Sequence, residues 1–419
     1  STWGTASSTG IAQNTRVWSF DMWGEDIVAS TGDGTEEIYY FDMTNVTSRG
    51  VTLSQYVTSL GLPTTGIPAK VGRVLVSTPD RHLIAFGCEP EGSSDFDPLT
   101  VRFASQETLN IWNADELNSA GDQRLGTGSE ITAVRKSKGQ LLIWTDQDLY
   151  GMQFIGPPFT FGFNEVGTNC GAAGAHSAVD FDGRVYWMGS ANFYVFDGTV
   201  KNLPCTVRRF VFDDINLSQA DKIYAGVNSQ FKEIIWLYPK ANSTECDRYV
   251  IFNPNENYWV YGDTHFTTFE DKGVFENTIT TGVEDDGDAY LYNNEPVSVF
   301  TANNEAQTSF IESADFDIGE GENFQFVRRM IPDVNFTGTG GSGQQINTVL
   351  KTRNYPGDTL ATDSTNAFTA TTTKIDMRAR ARQAVVRFES DDDAAEGIQL
   401  GVGFRVGGTR LDIRPNGRR

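Results

Sequence analysis

The chain has 419 residues, 55 acidic against 33 basic, and a formal net charge of −22. That length excludes one small domain and fits two or three domains or a single large repeat array. Four cysteines and three histidines with no Cys-x-x-Cys pair speak against a structural zinc site.

The acidity is uneven. Residues 1–300 hold 39 acids and 19 bases, a net of −20, whereas residues 301–419 hold 16 and 14, a net of −2. A surface so acidic repels phosphate, which disfavours sequence-specific DNA recognition over the first part of the chain. With 42 Gly, 28 Phe and 14 Tyr, the composition favours many short strands joined by glycine turns. No secretory leader, lipidation motif or apolar run of 18 residues stands out, so nothing in the sequence points to secretion or membrane insertion. Cys88, Cys170, Cys205 and Cys246 are far apart. Buried thiols of a reducing compartment are the expectation, and two long-range disulfides are the alternative. The first residue is Ser, from which residues upstream are expected to have been removed or left out of the numbering.

In chain order, residues 16–42 read as strand, turn, strand, Thr-Gly-Asp-Gly turn, strand. Residues 72–89 repeat the phrase across Thr-Pro-Asp, and 99–113 supply a third strand and a fourth. Residues 131–156 give strand, Lys-Gly turn, strand, Asp-Gln-Asp turn, strand. In 176–198 two apolar runs follow an Asp-Gly, the strongest short-range hairpin signal because both positions accept positive φ. Residues 222–263 are the longest such unit, and 280–293 close the series. About six units at spacings of roughly 40 to 60 residues match β-propeller blades, with stacked sandwiches as the competing array. After about residue 295 the pattern becomes period-two strands at 308–336, 381–390 and 403–419, which predicts a β-sandwich. The expected fold is therefore all-β, a β-propeller-like domain over 1–295 followed by a β-sandwich over 296–419. Helical spacing is convincing only at 203–223, with Val207, Phe210, Val211 and Ile215 along one face.

No catalytic constellation, cofactor motif or metal motif emerges. Cys170 stands six residues from His176, but sequence proximity does not assemble a nucleophile, base and orienting carboxylate, so a buried thiol in a glycine turn is the expectation. Gly-Thr-Gly-Gly-Ser-Gly within 337–345 lacks the Lys-Ser/Thr of a phosphate loop and reads as a flexible loop. The acidic turns at 284–288 and 391–393 lack EF-hand spacing and read as solvated. Arg378, Arg380 and Arg382 fall on alternate positions, which on a strand places all three on one face, a solvated or subunit-contacting face in preference to a phosphate-facing stripe.

Longer phrases carry a resemblance: "VRFASQETLNIW", "RLGTGSEITAVRKSKGQLLIWTDQDLYGMQFIGPPFTFGF", "YWMGSANFYVFDG", "LPCTVRRFVFDDIN", "YAGVNSQFKEIIWLYP" and "GGTRLDIRPNGRR". Over about residues 16–419 the chain resembles the tail hub or nozzle proteins of short-tailed bacteriophages, a group that includes packaged-DNA stabilisation proteins. The N-terminal part is short for that group, which puts in doubt a separate domain seating it on the adaptor. The resemblance implies a non-enzymatic virion protein of the phage tail, assembled in the host cytoplasm. It implies a homo-oligomer, usually a six-fold ring, beneath the portal-adaptor ring and in contact with a tail fibre or spike and tail-tip proteins. Such a ring retains packaged double-stranded DNA and passes it without sequence recognition. A carboxylate-lined channel suits that task, with Glu284, Asp285, Asp286 and Asp288 as the channel-facing candidates and Arg378, Arg380 and Arg382 as a subunit or fibre contact. The rival reading is a carbohydrate-binding or carbohydrate-degrading host-recognition tail protein, which as an enzyme requires two carboxylates about 5 to 9 Å apart.

Overall fold

A computed structural model describes residues 16–45, 49–78, 80–283, 287–294, 301–302, 305–306, 309–318, 321–337, 344–390 and 402–418. The chain is all-β and divides into two compact units, Ser1–Asn294 and Glu295–Arg419.

The first unit holds six antiparallel sheets in succession, over residues 19–52, 71–124, 131–167, 178–203, 224–263 and 266–293. The first five have four strands each and the sixth has three, every one in sequential meander order. Short-range turn chemistry sets this order. At Asp182-Gly183, φ is 52° and 71°, so two consecutive left-handed residues reverse the chain and pair Phe181 with Arg184. A twisted two-residue hairpin demands that conformation.

Both faces of each inner sheet are apolar, so each sheet packs on the one before and the one after. Five buried cores join the six sheets. Between the third and fourth, the Trp144 and Trp187 rings meet edge-on at 5.3 Å, both fully buried. Trp187 Nε1 donates to the Cys170 carbonyl at 2.8 Å, which satisfies the one polar atom of the ring. The first strands of successive sheets lie side by side along the stack, the arrangement of propeller blades. Among the described residues no buried core joins the sixth sheet back to the first. There the first strand, Ser19–Trp23, turns Phe20 and Met22 outward at 62% and 50% exposure, beside Trp18.

Two expectations are corrected. The fourth strand of the second sheet is Gly121–Arg124, not 109–113. Trp112 of that stretch is instead a fully buried plug in the first core, its Nε1 donating to the Leu109 carbonyl at 2.9 Å. The helix expected over 203–223 shrinks to Arg208–Phe212 and a 3-10 turn, Leu217–Lys222. Val207 is its non-helical flank at φ −104°, and Asn216 restarts the chain by accepting from the Ser218 amide. Phe210 faces away from the core against Tyr261, ring centroids 3.9 Å apart, so the apparent apolar stripe serves two different surfaces.

The second unit is a sandwich. One sheet runs Phe310–Glu312, Gln383–Ser390, Gln345–Arg353 and Ala361–Thr369. The other runs Ile375–Ala381, Gln325–Ile331 and Arg410–Pro415, and a ribbon pairs Val334–Thr337 with Gly403–Val406. Met330, Ile346, Leu350, Met377 and Phe388 fill the space between. Period-two alternation decides the faces: Ile375, Met377, Ala379 and Ala381 are buried, and Asp376, Arg378 and Arg380 are exposed.

If blade-on-blade burial carries the first unit, Trp187→Ala leaves a cavity and a widowed carbonyl. Denaturant unfolding of that unit should show a loss of about 3 to 5 kcal/mol, against under about 1 kcal/mol for the exposed Phe20→Ala.

Candidate functional site

Of the four channel candidates, Glu284, Asp285 and Asp286 lie outside the described residues. Asp288 is exposed in the turn that leads into Ala289–Asn293. Many other carboxylates of the first unit cap turns and accept hydrogen bonds there. Burial works to raise the Asp33 pKa, but hydrogen bonds from Thr31, Thr35 and Arg16 outweigh it and hold it at about 2. Burial is likewise outweighed at Asp97 and Asp146, which lie below the ordinary value through donors on Leu99 and Arg124 and on Ser129. These turn carboxylates stay ionised well into acid, so their negative charge is a fixed property of the folded unit.

Where the first strands converge, Arg73 and Arg135 lie among backbone carbonyls, with the charges of Asp221 and Glu130 acting on Arg73. Arg73 donates to the carbonyls of Val17 at 3.1 Å and Thr132 at 3.4 Å. Arg135 donates to Ala178 O at 2.8 Å and Val134 O at 2.9 Å, and its Nη2 lies 3.2 Å from His176 Nδ1. His176 Nε2 stands 3.2 Å from the Trp18 carbonyl, and its own carbonyl accepts from Ala225 N at 2.7 Å. These contacts define a neutral ring, Nδ1 accepting and Nε2 donating. Burial, then the charges of Arg135 and Arg73, push the His176 pKa down to about 4. Burial also lowers Arg135 to about 10. Lys136 Nζ adds an ion pair to Asp21 at 2.6 Å, and Asp21 accepts the Val76 amide. Side chains from the first three sheets and the loop before the fourth, with the His176 main-chain carbonyl, thus link the first five sheets or the residues that flank them. Sequence reading missed this cluster because Arg73, Arg135 and His176 are 41 to 103 positions apart and no local pattern marks them.

A second set, buried Asp80 and His82 with half-buried Ser119, has the spacing of a nucleophile, base and orienting carboxylate. His82 Nδ1 is 2.8 Å from Asp80 Oδ2, and Nε2 is 3.1 Å from Ser119 Oγ. Ser77 Oγ donates to the same carboxylate at 2.6 Å. His82, however, has no exposed surface and is enclosed by the Phe161 and Phe154 rings. Ser119 Oγ already accepts the Gln106 amide at 2.8 Å and lies 3.3 Å from Ser105 Oγ. A nucleophile must be open to its substrate, so this network fastens the 105–119 loop to the second sheet. Cys170 and His176 form no pair: both ring nitrogens are engaged elsewhere, and burial raises the Cys170 thiol to about 11. Among the described residues no group of three or more His, Cys, Asp or Glu could hold a metal ion. The glycine loop at 338–343 and the acidic run 391–393 lie outside the described residues.

The expected arginine stripe lies on and just beyond the edge strand Ile375–Ala381. Arg378 and Arg380 are exposed and Arg382 half-buried. Arg378 is left-handed at φ 65°, within the register shift opposite Val327 and Arg329. Arg380 sits over the Phe324 ring at 4.0 Å, and Arg382 lies 5.1 Å from Phe324 and 5.7 Å from Tyr355. The aromatic undersides hold the guanidinium groups against the sheet.

No model of a known protein family matches the chain. No curated protein matches it either. Among solved structures, it is similar to a Synechocystis apocarotenoid oxygenase mutant at 7% identity and a TM-score of 0.34, covering 66% of this chain and 65% of that one. It is also similar to the S. cerevisiae Dbp5 complex with Nup159 and Gle1, at 9% identity and TM-score 0.31, covering 65% and 74%. The N-terminal domain of Nup159 matches at 10% identity and TM-score 0.28, covering 65% and 74%.

Two measurements test these assignments. A histidine whose folded pKa lies near 4 leaves the unfolded chain to take the proton first, from the ordinary value of 6.5. Its stability contribution is therefore full above pH 6.5 and lost as pH falls towards 4. The difference in unfolding free energy between the wild type and His176→Gln should shrink across that window, and a pH-independent difference would reject the neutral assignment. Burial raises Cys88 and Cys246 to about 12 and Cys170 and Cys205 to about 11. In native protein a thiol reagent should find the half-buried Cys205 first and the three buried thiols only on unfolding.

Proposed function

We propose that the chain is a virion structural protein of a phage tail, a ring-forming nozzle or hub that retains packaged DNA and forms the acidic passage for its ejection. The observation that carries this is the concentration of fixed negative charge. Residues 1–294 hold 38 acids and 19 bases, a net of −19, and the turn carboxylates described above are held ionised. DNA must slide through a nozzle without adhering, and carboxylates repel phosphate over a Debye length of about 8 Å at physiological salt. Six copies would bring six times nineteen, or about 114, net negative charges to the ring. Arg73 and Arg135 tie the convergence of inner strands within one copy to backbone carbonyls, which supports an acidic passage between copies and not through one. In this reading the chain performs no catalysis, and its partners are further copies of itself, a portal-adaptor ring, a fibre or spike, and DNA in transit.

The test is the mass of the purified protein together with its position in intact particles by electron cryomicroscopy. The expected result is a ring of about six copies at the distal end of the tail, with first-unit carboxylates on its lumen. A monomer, or a trimer displayed at the tail's periphery, would overturn the reading. Glycan binding on the outward aromatic pair Trp18 and Phe20, stacked at 5.8 Å, would then be assayed first.

A further inference from the structure

The edge-strand arginines belong to a larger surface than the sequence stripe. On the three-stranded sheet of the second unit, register places Arg380, Phe326 and Arg414 in one row across the outer face. Arg378 and Arg328 follow at the bulge, then Arg329 between Asp376 and Asp412, and Arg410 opposite Ile331. Six arginines thus share this face with two aspartates, a local net of +4. The whole second unit, residues 295–419, carries 17 acids and 14 bases. The rest of it therefore holds 15 acids and 8 bases, a net of −7. The near-neutral total hides a polarised body.

We propose that this arginine face is an interface, and that its occupant is the acidic first unit of a second copy of this chain. The inference rests on the reading that copies of the chain assemble with one another. Three features support that occupant. The face is complementary in charge to a unit of net −19. Six of its cations are Arg, and the one Lys beside them, Lys374 at the start of the edge strand, reaches Asp376 only at 3.9 Å. Guanidinium is weakly hydrated and its planar fork matches carboxylates, whereas Lys is depleted at interfaces and common on free surface. The arginines stand among aromatic groups: Phe324 lies under Arg380 and Arg382, Phe326 is in their row, and Tyr355 beside Arg382 is 62% exposed. Arginine with aromatics is the composition of an interface centre. A free polyanion such as a nucleic-acid duplex, with one negative charge per about 1.7 Å of axis, is the weaker fit to a face that carries its own aspartates. Asp412 moreover already binds Arg329 at 3.4 Å and Arg414 at 3.5 Å, which partly neutralises the face and suits it to dispersed carboxylates.

The experiment is light scattering of the full chain at about 50 and 500 mM salt, where screening lengths differ about threefold. It compares wild type, Arg380→Glu/Arg414→Glu and the milder Arg380→Gln/Arg414→Gln. Both side chains are exposed, with Arg380 also packed on Phe324 and donating to the Asn416 carbonyl, so each variant should keep a cooperative thermal transition with a small shift at most, which certifies the fold. Wild type should self-associate at low salt and less at high salt. The glutamate pair should weaken association at least about tenfold, the glutamine pair less. A short DNA duplex is the competing probe. Glutamate-pair association equal to wild type overturns the interface while leaving a ring by other contacts intact. Duplex binding that the glutamate pair abolishes, with association unchanged, assigns the face to nucleic acid instead. Wild type that stays monomeric in solution, and is also absent from any ring in particles, removes the ring reading and this interface together.

Discussion

The first unit depends on one constraint: a small twisted sheet with two apolar faces has to bury both. A four-stranded sheet alone leaves both faces wet, and a pair still leaves one on each sheet. Successive meanders therefore stack, each inner sheet serving as both floor and ceiling. The large side chains sit at these contacts, Trp144 and Trp187 between the third and fourth sheets and Trp236 with Phe193 between the fourth and fifth. The ends of the stack show what happens without a neighbour. Met22 and Phe20 on the first strand, and Leu291 on the last, remain 50%, 62% and 70% exposed.

Stacking creates the second problem. Inner strands crowd together and bring backbone carbonyls to a place where water is scarce, and a buried carbonyl without a donor is costly. Arg73 and Arg135 resolve it, because one guanidinium carries five donors and spans several strands. Their positive charges then dictate the state of His176, which accepts from Arg135 only as a neutral ring. The titration of that histidine is thus a remote consequence of how the sheets pack.

The fold was legible in sequence where local rules decide it. Asp182-Gly183 sets its own turn, and Ile375, Met377 and Ala379 alternate with charges as a half-buried strand must. Reading failed where tertiary contacts override local pattern. Trp112 looks like a strand residue and is a core plug, and Val207 to Ile215 look helical although Asn216 and the non-helical Val207 break the run. The arginine stripe was visible as an alternation on one strand. Its extension across Gln325–Ile331 and Arg410–Pro415 was not, because register between strands 50 to 85 positions apart leaves no trace in local spacing. For the same reason the Arg73, Arg135 and His176 cluster left no motif.

The whole-chain net charge conceals how charge is arranged on a chain organised this way. In the first unit several acids, among them Asp33, Asp97 and Asp146, cap turns and are held ionised by the hydrogen bonds they accept there. In the second unit the balance is nearly even, but register gathers the arginines onto one sheet face. Acid is distributed by turn chemistry and base is concentrated by strand pairing. A surface that repels phosphate and one that attracts carboxylate can therefore coexist on a single chain, each fixed by the local structure that carries it.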